Sequence, residues 1–162
     1  MFDLISIGDS TIDDFLEIAQ SEAEAVCDID KEKCVICFTF ASKIPVTKFT
    51  RVVGVGNAAN NAVGSSRLGL ETAIYTVIGS DRDSEEIKKA LTEEGVDTSF
   101  LVMEPGGRSN HSTVINFGGE RNIFTYHQTR TYSLPELPPT SWVYYTSVAK
   151  GHEVLHTQLP NY

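Results

Sequence analysis

Three short apolar runs punctuate the chain, at 2-FDLISIG-8, 72-TAIYTVI-78 and 142-WVYYTSV-148. Each is rich in β-branched or aromatic residues and bounded by turn or polar residues. That pattern predicts strands buried on both faces, as in a parallel sheet. The first run ends at Gly8, where a functional loop is expected. The stretch 50-TRVVGVG-56 leads to a helix predicted over 57–68, with Gly69 as the glycine just past its end. Ala59, Ala62, Val63 and Ser66 recur at i, i+3, i+4, i+7 and form its inner face. Their small side chains permit close approach to a sheet or a ligand. A second helix is predicted over about 84–94. Asp83 and Glu86 resemble a capping box, Glu85 precedes Lys89 by one turn, and Gly95 ends the helix. The β-loop-α-β-α order predicts an α/β fold with a parallel sheet.

Two hairpins interrupt that order. Residues 15–41 read as one, because 22-EAEAVC-27 alternates in period two and 34-CVICFTF-40 is β-branched and aromatic, with the polar turn 28–33 between them. Strands 111-HSTVINF-117 and 122-NIFTYHQ-128 flank 118-GGER-121, whose paired glycines suit a tight turn. After the proline-rich loop 135–139 comes the third apolar run. The segment 152–162 then reads as the start of another element.

The length of 162 residues is enough for one domain with a real core. A net charge of −9 argues against a nucleic-acid or anionic-membrane partner, since both need clustered Lys and Arg. No run approaches the roughly 20 apolar residues of a membrane span. The N-terminus has an acid at Asp3 and no basic region, so a secretory signal is not expected, and a cytoplasmic location is. Cys27, Cys34 and Cys37 raise a zinc or redox reading. Residues three apart on a strand point to opposite faces, so small half-buried residues in a reducing compartment are the expectation. His111, His127, His152 and His156 lack ligand spacing and are expected to serve surface or packing roles. No metal site is predicted.

The candidate chemistry lies in 54-GVGNAANNAVGSSRLG-69. A glycine turn entering a helix offers free N–H donors, so an anion is the default ligand. No phosphate loop of the form G-x-x-x-x-G-K-[ST] occurs. Gly54, Gly56 and Ala59 satisfy a dinucleotide fingerprint with Asp81 as ribose acid, but that reading leaves Asn57 and Asn60 unexplained. Amides both donate and accept, which suits sugar hydroxyls, and a carboxylate such as Asp13 would complete the grip. Capping roles for Asp13 and Asn57 are the alternative.

These residues resemble the ribokinase-like (PfkB) carbohydrate kinases. Gly56, Ala58, Asn60, Ala62, Gly69 and Gly79 fall at the spacings of the family's first signature, with Val55 where a glycine usually stands. The Gly8-x4-Asp13 step, the segment 79–101 and the Gly119–Glu120–Arg121 turn add to the likeness, which covers essentially the whole chain. The resemblance implies a parallel-sheet α/β core with a small β-sheet lid, at about 15–48 and 108–128. It implies a sugar or nucleoside held by Thr11, Asp13, Gly56, Asn57 and Asn60, bordered by Ser147. It also implies ATP and Mg²⁺ as co-substrates and a homodimer through the lid.

The family's general base is the Asp of a G-x-G-D motif in the C-terminal half, and no such string occurs here. The expectation is therefore an N-terminal portion with no catalytic residue. Alone it should bind no nucleotide, transfer no phosphate and associate through exposed apolar faces. A non-catalytic carbohydrate-binding or dimerising module is the alternative, and a dinucleotide-binding domain a weaker one.

Overall fold

The computed structural model describes residues 1–30 and 32–161. Lys31, in the expected polar turn, and Tyr162 lie outside the described residues. The elements in chain order are β1 (Phe2–Ile7), β2 (Thr11–Ile18), β3 (Glu24–Cys27), β4 (Cys34–Cys37), β5 (Val46–Val55), α1 (Asn57–Arg67), β6 (Thr72–Ile78), α2 (Arg82–Glu93), β7 (Leu101–Met103), β8 (Asn110–Phe117), β9 (Glu120–Tyr126), β10 (Thr140–Tyr145) and α3 (Glu153–Gln158). A 3-10 turn follows at Leu159–Asn161. None of the described helices is long and apolar enough to cross a membrane.

The expected parallel sheet is present, with strand order β10-β1-β6-β7 and every pair parallel. Its side chains alternate between two cores. On one face Ile74 and Ile78 meet Ala58, Ala59 and Ala62 of α1 and Ile87 and Leu91 of α2. On the other, Ile5, Ile7, Tyr75 and Val77 are covered by Tyr132, Leu137, Ala149 and Leu155. The alanines of α1 set the depth of the first contact, because a short side chain lets the helix axis approach the sheet. Ala58 joins the expected inner face, whereas Val63 and Ser66 are only partly buried.

The second helix starts earlier than its sequence predicts. Its cap is Asp81, whose carboxylate accepts from Ser84 N at 3.1 Å, and not Asp83. Asp83 instead meets Arg51 of β5, with Nη2 2.5 Å from Oδ1. The expected Glu85–Lys89 turn pair is replaced by Lys89 with Glu93 and Arg82 with Glu86.

A second four-stranded sheet has the order β5-β2-β8-β9. Residues 15–18 therefore do not belong to a local hairpin. They end β2, which begins at Thr11 and lies between β5 and β8. Pairing on both sides overrides the acidic composition of TIDDFLEI. Ile12 anchors this sheet in the α1–α2 core. Beside it, Asp14 bonds His111 at 2.8 Å, and Arg51 lies within 3.6 Å of both Asp14 and Glu86 as well as on Asp83. His111 thus has a carboxylate partner that its sequence spacing does not reveal. The β8–β9 turn places Gly118 at φ 61° and Gly119 at φ 87°, the left-handed pair that a two-residue hairpin turn requires.

The remaining pair, β3 and β4, forms a separate two-stranded hairpin. Its cysteines are not half-buried free thiols. Cys27 and Cys34 face each other in register and are joined as a disulfide, and Cys37 is free and exposed.

Candidate functional site

Open α/β sheets place ligands beyond the carboxyl ends of their strands, and three turns converge there. Thr146 N donates to Ile7 O at 2.9 Å, and Asp9 N donates to Ser147 O at 2.9 Å, so the exits of β1 and β10 run against each other. Gly8 is required by this crossing, since a Cβ there would lie 2.1 Å from Thr146 O. The third turn enters through Gly56, the N-cap of α1, at φ 102° and ψ 160°. A Cβ at Gly56 would lie 2.9 Å from Asp9 O. The close approach that this glycine allows is therefore to the loop leaving β1.

Thr11 is buried at the start of β2, where its Cγ2 lies 3.6 Å from the position of a Cβ on Gly56. Asp13 stands two residues further, on the same face of β2, opposite Val52 of β5 and Ser112 of β8. Its Oδ1 is buried and has no hydrogen-bond partner. Asn57 is the first residue of α1 and caps nothing with its side chain. Its Nδ2 donates to Ser147 Oγ at 2.6 Å, joining two residues that are 90 apart in sequence. Asn60 N donates to Gly56 O at 2.8 Å. The exposed Asn60 side chain lines a groove with Val53, Val63, Arg67 and Glu94. Thr11 thus borders the Gly56 turn, Asp13 lies two residues along β2 from it, Asn57 and Ser147 touch, and Asn60 lies one helical turn from Gly56.

Sequence reading missed the polar network beneath this crevice. Asp9 is buried, and its carboxylate accepts from Tyr132 OH at 2.6 Å and from Asn110 Nδ2 at 3.2 Å. Asn110 Oδ1 in turn accepts from Arg130 Nη2 at 3.0 Å and Gln128 N at 3.3 Å. Arg130 also reaches Arg108 O at 2.6 Å and Glu104 at 3.3 Å. Burial pushes the Asp9 carboxyl above its ordinary range, against the lowering effects of Tyr132, the Ala149 N–H, Arg130 and His127. Burial, then the bond to Asp9, pushes the Tyr132 hydroxyl far up. The one local signal for this network was Asp9 itself, a polar residue directly after a buried strand. Its partners lie more than a hundred residues away.

Asp81 is not available to a ribose. Its two oxygens accept from Ser84 N, Ser109 N and Ser109 Oγ. Burial opposes ionisation, but these hydrogen bonds outweigh it and hold the carboxyl below its usual range. Among the described residues no group of three or more His, Cys, Asp and Glu is placed to hold a metal ion. Asn57, Ser147 and Thr11 bring amide and hydroxyl groups to this crevice, which can both donate to and accept from neutral hydroxyls.

Comparison with known proteins identifies the family. The family described as pfkB family carbohydrate kinase matches residues 21–149. A 5-dehydro-2-deoxygluconokinase of Shouchella clausii is 39% identical over 69 residues, 43% of this chain and 20% of that protein. A ribokinase of Haemophilus influenzae is 41% identical over 46 residues, 28% of this chain and 15% of that protein. Among solved structures, the fructokinase of Halothermothrix orenii superposes with a TM-score of 0.68 at 18% identity, over 98% of this chain and 52% of its own. The ribokinase of Arabidopsis thaliana, complexed with ribose and ATP, gives a TM-score of 0.57 at 18% identity, over 77% of this chain and 36% of its own. The chain spans about a third to a half of these solved structures, and its curated matches cover a smaller share still. With a family match over more than half its length, and with the expected parallel core and separate small sheets, the chain belongs to the pfkB family of carbohydrate kinases.

Proposed function

We propose that the whole protein transfers a phosphoryl group from ATP to a hydroxyl of a sugar or nucleoside, and that this chain supplies the sugar site and the lid over it. The observation that carries this reading is the buried, unpartnered Oδ1 of Asp13. A buried acceptor without a donor costs about 1–3 kcal/mol, and more when charged. A sugar hydroxyl is the donor that relieves it. Thr11, on the same face of β2, continues the contact toward the Gly56 turn. Asn57 and Ser147 offer an amide and a hydroxyl, which accept and donate, and Asn60 extends the contact along α1. The second sheet, built from β2, β5, β8 and β9, acts as the lid. Closing it over the sugar excludes water, the competing acceptor for the phosphoryl group.

ATP carries the transferable phosphate and Mg²⁺ neutralises its charge. In this reading both are held by residues outside this chain, which also supply the general base. The 162 residues alone are inactive in this reading. An exposed lid face carrying Phe49, Phe124 and Tyr126 offers a homodimer contact.

The test is the whole protein assayed with MgATP against D-ribose and D-fructose, alongside Asp13→Ala. Phosphorylation of one sugar, with activity lost in the variant by about a hundredfold or more, supports the proposal. Full activity in Asp13→Ala would overturn the assignment of the site.

A further inference from the structure

Ser147 is one of two non-glycine residues with positive φ among the described residues, at φ 42°. Left-handed backbone costs a residue with a Cβ about 1–2 kcal/mol, and such residues persist only where their surroundings impose them. Glycine would remove the strain, yet a serine stands there, in contact with Asn57. Five hydrogen bonds hold the turn. Asp9 N donates to Ser147 O at 2.9 Å and Thr146 N to Ile7 O at 2.9 Å. Asn57 Nδ2 donates to Ser147 Oγ at 2.6 Å. Ala149 N donates at 2.8 Å to Tyr132 OH, which itself donates to Asp9 Oδ1 at 2.6 Å. Asp9 thus grips the turn twice, directly at Ser147 and through Tyr132 at Ala149. Its second oxygen is fixed by Asn110 at the head of β8.

We propose that Asp9 and Tyr132 form a clamp that imposes the left-handed turn at Ser147, so that the Ser147 hydroxyl and the Asn57 amide meet the ligand as one preset unit. The inference deepens the sugar-site reading and rests on it for the identity of the ligand. Asp9 and Tyr132 are positioning residues: they act through Ser147 and Ala149. Presetting matters because a hydroxyl and an amide on two independent turns would have to be ordered by the ligand, at a cost to affinity. The pair also explains why the β10 exit carries serine at a position that glycine would occupy without strain.

The geometry separates affinity from stability, and the experiment uses that separation. In the whole protein, Ser147→Gly relieves the strain and removes the hydroxyl, whereas Ser147→Ala removes the hydroxyl and keeps the strain. Each is compared with Tyr132→Phe by thermal melting, by KM and kcat for D-ribose and D-fructose, and by exchange of the Asn57 side-chain amide protons after ¹⁵N-asparagine labelling. The expected result is a melting temperature in Ser147→Gly no lower than that of the parent protein and a lower one in Ser147→Ala. Both should raise KM by about tenfold with kcat nearly unchanged. Tyr132→Phe should raise KM likewise and accelerate Asn57 amide exchange, although Asn57 itself is untouched. Unchanged KM in Ser147→Gly, or unchanged KM and Asn57 exchange in Tyr132→Phe, overturns the proposal, and Asp9→Asn, which weakens the same clamp from its other end, replaces Tyr132→Phe should that variant fail to fold. If the parent protein phosphorylates neither sugar, the kinase reading fails on these substrates. The clamp is then judged by Asn57 exchange alone, which needs no sugar.

Discussion

Strand β6 is buried along its whole length and β9 is exposed along its whole length, although each belongs to a four-stranded sheet of the same chain. Composition accounts for only part of this, since Glu120, Arg121 and Asn122 favour exposure but Ile123, Phe124 and Tyr126 do not. TAIYTVI and ERNIFTY both carry β-branched and aromatic residues at strand spacing. The rest is layering. Helices α1 and α2 cover one face of β6, and the segment from Tyr132 to Leu155 covers the other. Around β9, Ile123 at 51%, Phe124 at 59% and Tyr126 at 51% remain exposed. The first sheet is held by its core. The second is held by backbone pairing, by Ile12 at its inner end and by the Arg51 cluster. A sheet secured at one end, with apolar residues left in solvent, is suited to a part that closes over something.

Matched truncations should break the comparison most sharply. Ile74→Ala opens a cavity between the sheet and α1 and should cost about 2–5 kcal/mol, while Phe124→Ala at the exposed edge should stay within about 0.5 kcal/mol. Urea unfolding of the two variants measures the difference, and equal losses would refute the layered account.

A smaller loss, about 1–2 kcal/mol at neutral pH, is expected for Asp81→Asn, which weakens the cap of α2 and its tie to Ser109. Here the sign with pH can be worked out. The folded carboxyl titrates below its unfolded value of 3.8, so its stabilisation is fully present above that value. It is lost as pH falls from there through the lowered folded pKa. The gap between parent and variant should therefore narrow below pH 3.8. A gap independent of pH would show that the carboxylate charge contributes nothing.

Arg51→Ala tests the charged link between the two regions. Its partners are Asp14, Asp83 and Glu86, all partly exposed. A loss of up to about 1 kcal/mol is expected, shrinking as salt is added. The smallest effect belongs to the β3–β4 hairpin. Reducing the Cys27–Cys34 disulfide should leave the melting temperature of the parallel-sheet core within about 1–2 °C, because the hairpin contributes no residue to either buried cluster. Proteolysis within residues 24–37 should quicken. A large drop in melting temperature would show that the hairpin supports the core.

The layered region was the legible one. Strands β1 and β6 announced themselves as apolar runs, and α1 as a row of small residues ended by Gly69. What escaped was set by distant partners. Asp13 was singled out as a candidate, but the polar segment that contains it became a strand only through β5 and β8. Asp81 displaced Asp83 as cap because Ser84 and Ser109 both reach it. The disulfide depended on register across a hairpin, which cysteine spacing alone does not give. At the site, Asn57 and Ser147 were singled out separately, and only the crossing of β1 with β10 brings them together. Asp9, Asn110 and Tyr132 left no periodic trace, since each is a single polar residue whose meaning lies in the other two.

One feature of the parallel sheet bears on the order of assembly. Strand β1 lies between β6 and β10, and its bond to Thr140 spans 138 residues of sequence. During synthesis, β1 can acquire β6 long before β10 exists, so for much of translation one edge of a strongly apolar strand stands open on the ribosome. Contacts of such separation form slowly and leave nascent edges to other partners in the meantime. The crossing that completes the crevice thus waits on residues 140–147, and nascent chains halted before residue 140 should engage chaperones that longer ones release.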